Sequence, residues 1–180
     1  CKAHVRKVIG AKITRGRGAG GDPYTGKRCA EEDEQSIRSK LDNGDIIFVI
    51  AGMGGGTGTG SAPVIAKYAK ETDAVVVGVA VLPFKEEGAH RRKIALEGLS
   101  ELKNNCDCVI ELDNERLNEL TDGDYPIQKA FAVMSDLVSG IVQSLSEVVT
   151  EPSMINVDFA DLRKIIEAGG NAKVLYGESD

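Results

Sequence analysis

Between Asp45 and Lys67 the chain passes from an unbroken apolar run, Ile46 to Ala51, through Gly52-Met53-Gly54-Gly55-Gly56-Thr57-Gly58-Thr59-Gly60, into Ser61-Ala62-Pro63. Six of the nine residues from Gly52 to Gly60 are glycine. Each gives up roughly 0.5 to 1 kcal/mol relative to alanine when ordered, so such a loop needs a reason. A glycine-rich turn between a buried strand and a helix N-terminus directs several N–H groups, and the positive end of the helix dipole, at one point. That point suits a chain of phosphates. Thr57, Thr59 and Ser61 would add hydroxyl donors, and Pro63 is expected in the first helical turn, where its missing N–H costs nothing. A flexible linker shares the composition, but linkers do not normally join a run such as Ile-Ile-Phe-Val-Ile to an apolar helix start.

Two other phosphate loops fail on spacing. The Walker pattern ends Gly-Lys-Ser/Thr, whereas this loop ends Gly60-Ser61 without the lysine. The dinucleotide pattern G-x-G-x-x-G finds no register: begun at Gly54 its last glycine falls on Thr59, and begun at Gly56 on Ser61.

The totals narrow the class. With 42% hydrophobic and 28% charged residues in 180, the chain is globular and long enough for a sizeable core. A net charge of −6 argues against a general nucleic-acid or membrane-surface binder. No apolar run approaches the roughly 20 residues of a membrane span, and no signal peptide is visible. A soluble cytoplasmic protein is expected. The four cysteines, at 1, 29, 106 and 108, lack a C-x-x-C pair and have only His4 and His90 for company, so reduced thiols and no metal site are expected. The chain opens on Cys1 and stops soon after an apolar run, so part of a longer protein is expected.

Along the chain, Val5 to Ile13 reads as a possible strand. Arg15-Gly16-Arg17-Gly18-Ala19-Gly20-Gly21 is a second glycine-rich loop, followed by Asp22 as N-cap and Pro23 as first residue of a helix running to about Leu41. Glu31 to Glu34 are expected on a solvated face. Continuous apolar strands Ile46–Ala51, Ala74–Leu82 and Cys108–Leu112 alternate with helices, the mark of a parallel sheet covered on both faces. Apolar residues at three- and four-residue spacing from Ile127 to Val149 predict one helix of 23 residues, roughly 35 Å long. A short helix to Ala168 and a strand Ala172–Tyr176 follow.

In such a sheet the loops beyond the strands' carboxyl ends gather along one edge. Those loops are Gly52 to Ser61, Pro83 to Arg92 and Asp113 to Arg116, and the long helix starts near them. Glu87 and Arg91, four apart at a helix start, would grip a ribose or base; their bland alternative is an exposed i,i+4 ion pair. Asp136 lies just over one helical turn beyond Phe131, so an aromatic face and a carboxylate would approach a base together, although Phe131 alone reads as core. Asp158 and Asp161 sit beyond the far end of the long helix, where capping is their simplest role. Placed roughly 35 Å from the phosphate loop, they cannot serve a nucleotide on their own subunit. If catalytic, they act on a neighbour's.

The run Gly54-Gly55-Gly56-Thr57-Gly58-Thr59-Gly60 resembles the signature of the tubulin superfamily and, with its neighbours, that of the FtsZ family of prokaryotic cell-division GTPases. The likeness extends from about Val5 to Asp180. It includes Thr14 to Pro23, Pro83-Phe84 with Glu87-Gly88 and Arg91, and Asn156-Val157-Asp158-Phe159-Ala160-Asp161. The fold it implies is a Rossmann-like parallel α/β sheet, incomplete here, followed by a long central helix and the start of a second domain. The expected division is 1–124, a partial GTP-binding domain, 125–150, the central helix, and 151–180, a loop, short helix and first strand.

By the resemblance Gly20 and Gly21 line the γ-phosphate of GTP, and Gly54, Gly55, Gly56, Thr57, Gly58, Thr59 and Gly60 the α- and β-phosphates. Glu87, Arg91 and Asn114 contact ribose or base, with Phe131 and Asp136 at the guanine; Ser135 departs from the asparagine common in the family. Asn156, Asp158 and Asp161 lie on a loop that enters the next subunit, where the aspartates polarise the attacking water and Mg2+ neutralises the phosphates. The resemblance therefore implies a GTPase that turns GTP into GDP and polymerises head to tail. It also implies division-ring and membrane-tethering partners at a cytoplasmic division site, without nucleic acid or membrane insertion. The isolated chain is expected to bind GTP weakly or to aggregate, and to be inactive. The competing readings are a non-hydrolysing filament paralogue and a dinucleotide-binding oxidoreductase domain.

Overall fold

The computed structural model describes residues 5–41, 44–116, 127–150, 160–161, 163–164, 166 and 170–172. Its centre is β2, Val75–Leu82, an eight-residue strand of valine, alanine, glycine and leucine buried at every position but Val81. Strand β1, Ile46–Gly52, pairs parallel on one side from Ile46↔Val75 to Gly52↔Val81. On the other side β3, Cys108–Asp113, pairs parallel from Val77↔Cys108 to Leu82↔Asp113. A three-residue strand, β4, Gly170–Ala172, pairs parallel with β3, giving the order β1-β2-β3-β4. The strand expected at Ala172–Tyr176 thus meets the described residues only at Ala172.

Strand alternation sends the two side-chain sets to opposite layers. Val49, Ala51, Val76, Ala80, Leu82 and Val109 pack under α4, Thr57–Lys70, and α5, Ala89–Lys103, through Ala62, Ala66, Ala95, Leu99 and Leu102. Val75, Val77, Val79, Ile110 and Leu112 pack against Met134 and Ile141 of the long helix α6, Ile127–Thr150. This is the expected parallel sheet covered on both faces. At 24 residues α6 is close to the expected length, about 36 Å. No helix among the described residues is long and apolar enough to cross a membrane. Cys29 and Cys106 are free thiols, and burial pushes that of Cys106 up to about 12.

Four expectations are corrected. Val5 to Ile13 is not a strand: Gly10 takes a left-handed turn at φ 63° and starts a short helix, α1, Ala11–Thr14. The helix expected from Pro23 to Leu41 is two, α2, Pro23–Glu32, and α3, Glu34–Leu41. The break falls at Asp33, whose carboxylate accepts the Gly10 N–H at 2.7 Å and pairs with Lys7 at 3.3 Å. The acidic run around it is therefore no simple solvated face, since Glu34 also holds Arg38 at 2.7 Å. Finally, α4 begins at Thr57 rather than near Ser61, which puts Pro63 in the helix interior and makes Gly58 and Gly60 helical.

The early start of α4 has a packing cause. A Cβ at Gly60 would meet the Pro23 carbonyl oxygen at 2.0 Å, and one at Gly26 the Gly56 carbonyl oxygen at 2.2 Å. Helices α2 and α4 therefore cross with backbone against backbone, a contact open only to glycine. The glycines that looked like loop are partly a helix-packing seam.

Candidate functional site

The carboxyl ends of β1, β2 and β3 open onto one edge, as the parallel order dictates. Beyond β1 the chain turns at Met53–Gly56 into α4. Gly54 takes φ 95°, a conformation that suits glycine, and a Cβ there would strike the Arg91 carbonyl oxygen at 2.9 Å. Gly56, the N-cap of α4, offers no side chain to cap it. The first N–H groups of this 14-residue helix have no intrahelical acceptors and face outward at its positive pole.

The second glycine loop arrives at the same place. A Cβ on Gly56 would lie 2.6 Å from the Asp22 nitrogen and 2.9 Å from Ala19 Cβ. Gly20 and Gly21 stand exposed between those two contacts at φ 60° and 82°, with open space where a Cβ would be. Asp22 closes the loop as N-cap of α2, its carboxylate accepting the N–H of Tyr24 at 3.1 Å and of Thr25 at 3.0 Å. The Thr25 hydroxyl, at 2.6 Å, and these N–H groups hold the Asp22 carboxyl below the usual range. Two glycine loops separated by some thirty residues of sequence thus meet at the end of α4.

Within Gly54 to Gly60 the residues divide. Gly55, Thr57 and Gly58 keep some exposure. Thr59 is 3% exposed, and its hydroxyl accepts the Gly54 N–H at 2.9 Å, so its contribution at the edge is the backbone N–H. The Ser61 hydroxyl donates to the Thr57 carbonyl at 2.7 Å and supplies no donor to the edge, contrary to expectation. Gly60 lies in the seam with α2.

The loops after β2 and β3 complete the edge. Glu87 and Arg91 form the bland i,i+4 pair at 2.6 Å, while the other Glu87 oxygen accepts the Phe84 N–H at 3.0 Å. Phe84 is buried, and Phe131 of α6 meets it edge to face at 5.4 Å between centroids. Phe131 is half-exposed, not core, and Asp136 is exposed on the same helix. The Ser135 hydroxyl is occupied by the Phe131 carbonyl at 2.8 Å. Asn114, just past β3, is 2% exposed, and its Oδ1 has no donor among the described residues. An unpaired buried acceptor costs about 1–3 kcal/mol.

Sequence reasoning missed Arg92. Its guanidinium grips Asp113 with two bonds, 2.8 and 2.6 Å, and reaches the Pro83 carbonyl at 3.3 Å. The hydrogen bonds raise the Arg92 pKa and lower that of Asp113. Beside it the Glu115 carboxylate accepts from the Lys85 Nζ at 2.9 Å and the Lys85 N–H at 3.1 Å. The available signal was topological: Arg92 opens α5 after β2, and Asp113 ends β3, the neighbour of β2. Asn156 and Asp158 lie outside the described residues. Asp161 is described, exposed, with its carboxylate 3.2 Å from the Lys164 Nζ.

A family model described as the tubulin/FtsZ family, GTPase domain, matches residues 2–122. The chain belongs to the tubulin/FtsZ family. Cell division protein FtsZ 2 of Haloferax volcanii is 47% identical over 99% of this chain and 44% of its own length. An empty FtsZ dimer of M. jannaschii superposes with a TM-score of 0.85 at 42% identity, covering 91% of this chain and 47% of that one. CetZ2 of Haloferax volcanii, a GTPγS-bound protofilament, gives 0.68 at 30% identity over 77% and 42%. This tubulin/FtsZ chain therefore spans less than half the length of those relatives.

Proposed function

We propose that the protein binds GTP at the edge where its two glycine loops meet, hydrolyses it to GDP, and assembles head to tail into filaments. The observation that carries this reading is the uncapped N-terminus of α4 facing the exposed Gly20-Gly21 turn. One helix end and one glycine nest, in contact through Gly56 and Asp22, offer converging N–H groups over the span of a triphosphate. Gly20 and Gly21 serve the γ-phosphate. The backbone from Gly54 to Thr59 serves the α- and β-phosphates, with Gly60 holding α4 in place from behind.

The Asn114 Oδ1, without a donor among the described residues, fits a nucleotide as well, because ribose hydroxyls and the guanine edge carry donors. Glu87, Arg91, Phe131 and Asp136 complete the ribose and base side. A carboxylate accepting from the guanine N1 and N2 positions rejects adenine, whose edge offers different groups. Among the described residues no three His, Cys, Asp or Glu side chains converge on a cation site. Mg2+ is therefore expected on phosphate oxygens and water, where it neutralises developing charge.

The catalytic carboxylates in this reading are Asp158 and Asp161, with Asn156 beside them, brought to the nucleotide by the next subunit. In the sequence they follow α6, a helix about 36 Å long that begins on the nucleotide side. The relative seen as a GTPγS-bound protofilament supports nucleotide and polymer together. Head-to-tail contact of unlike surfaces does not close on itself, so it gives filaments. Division-ring and membrane-tethering partners, a cytoplasmic division site, and the division into 1–124, 125–150 and 151–180 belong to the same proposal.

GTP hydrolysis per subunit, measured against concentration of the complete protein that contains this chain, tests it. The rate is expected to rise from near zero above a threshold. A rate per subunit independent of concentration would place every catalytic group in one subunit and overturn the shared site.

A further inference from the structure

Asn114 is held from both sides. Before it, Asp113 accepts two bonds from the Arg92 guanidinium, at 2.8 and 2.6 Å, and its Oδ1 also receives the Glu115 N–H at 3.2 Å. After it, the Glu115 carboxylate is tied to Lys85 by both backbone and side chain, at 3.1 and 2.9 Å. Arg92 and Lys85 both belong to the stretch following β2, and Arg92 additionally reaches the Pro83 carbonyl at 3.3 Å. Two charged links therefore fasten the turn after β3 to the loop after β2. The one residue between them carries the buried amide oxygen that has no donor among the described residues.

The Arg92 to Asp113 link is built to define geometry. A guanidinium fork on a carboxylate fixes distance and orientation together, as a lysine ammonium does not. Its side chains keep 32% and 22% of their exposure, so they are partly withdrawn from water but not sealed. An exposed pair serving stability alone contributes little, typically 0 to 1 kcal/mol. This one also spans 21 residues and spaces two loops of the candidate site.

We propose that Arg92, acting through Asp113, is a positioning residue that sets the Asn114 amide oxygen to accept a donor from the ribose or guanine of the bound nucleotide. The inference rests on the guanine-nucleotide reading above. In the present conformation the oxygen is shut off from solvent, so meeting a ligand donor requires a local shift of the turn from Asp113 to Arg116. The clamp limits that shift to one that keeps the amide oriented. Restraint of this kind appears as affinity, because the clamp leaves less of the turn to be ordered when the ligand arrives.

The test is a double-mutant cycle on the complete protein that contains this chain, reading affinity for a fluorescent GTP analogue by titration, with thermal midpoints recorded alongside. Arg92→Met is expected to weaken binding up to about tenfold, the loss of one well-placed hydrogen bond. Asn114→Ala should weaken it comparably. Adding Arg92→Met to Asn114→Ala should cost nothing further, since the group being positioned is gone. A purely structural Arg92 would give additive losses, and that result overturns the inference. Should Arg92→Met fail to fold, Arg92→Lys keeps the charge and stem but loses the fork, and the same non-additivity with Asn114→Ala is expected. Wild-type affinity with either Arg92 variant would sink the positioning role while leaving guanine-nucleotide binding standing. Absence of binding by the wild type would overturn both together.

Discussion

A methyl group at Gly60 would stand 2.0 Å from the Pro23 carbonyl oxygen and 2.7 Å from the Lys27 nitrogen, both backbone atoms that cannot swing aside. At Gly140, in the middle of α6, a methyl would meet nothing within 4 Å. Both residues are helical, so alanine gains each of them about 1 kcal/mol of helix propensity. Only at Gly60 does strain oppose the gain, because α2 must move off α4, and overpacking of that kind costs typically 1–3 kcal/mol. Gly60→Ala is therefore expected to lower the thermal midpoint and Gly140→Ala to raise it. Each shift should be a few degrees, given roughly 2–4 °C per kcal/mol at this size. Calorimetry of the two variants checks the signs. A midpoint unchanged by Gly60→Ala would mean that the close helix crossing does not govern stability.

At the scale of elements, strands were the legible part and the glycine segments were not. Ile46–Gly52, Val75–Leu82 and Cys108–Asp113 fall within two residues of the apolar runs; β2, buried at all but one position, has no polar residue to blur it, and β3 is interrupted only by Glu111 before its last residue. The start of α4 was misplaced because glycine carries two messages: it permits unusual φ, as at Gly54, and it permits contact, as at Gly60. Sequence alone does not say which applies. The same gap hid the break at Asp33, whose cause is the Gly10 N–H, 23 residues away. In the candidate site Glu87 and Arg91 were legible through local spacing, whereas the Arg92 to Asp113 clamp needed the strand order.

That clamp between elements carries a pH signature. The Arg92 hydrogen bond, followed by the Glu115 N–H, holds the Asp113 carboxyl below its ordinary 3.8 against the opposing effect of burial. A carboxyl depressed in the folded state adds stability above its unfolded pKa, and that contribution is lost as pH falls through the folded value. Asp113→Asn should therefore be less stable than wild type at neutral pH, with the difference shrinking as pH drops below about 3.8. Denaturant midpoints across pH 2 to 7 read this directly. A stability difference that persists undiminished at the acid end would show that the asparagine disturbs packing rather than removing a charge pair.

At the scale of the whole molecule, α6 does two things at once. Met134 and Ile141 close one face of the sheet, and Phe131 reaches Phe84 at the site edge, so its first half belongs to the nucleotide side. The helix is about 36 Å long, and Asp161 follows its far end in the sequence. There the Asp161 carboxylate is 65% exposed and meets only a surface lysine among its described partners, a weak contact that a new neighbour can replace. On the proposed shared site, Asp161→Ala leaves GTP binding of the monomer unchanged and abolishes turnover, because the lost group acts on the adjoining subunit. Mixing sharpens the expectation. In a random copolymer each wild-type site is served by a mutant neighbour in proportion to the mutant fraction, while each mutant subunit's own nucleotide stays competent whenever its neighbour is wild type. Total hydrolysis should therefore be proportional to the fraction of wild-type subunits supplying the carboxylate, whichever subunit holds the GTP. Adding a second variant, impaired in nucleotide binding through Gly20 and Gly21, to Asp161→Ala protein should restore turnover, since each provides what the other lacks. Two inactive proteins that stay inactive when mixed under polymerising conditions would place Asp161 and the nucleotide in the same subunit.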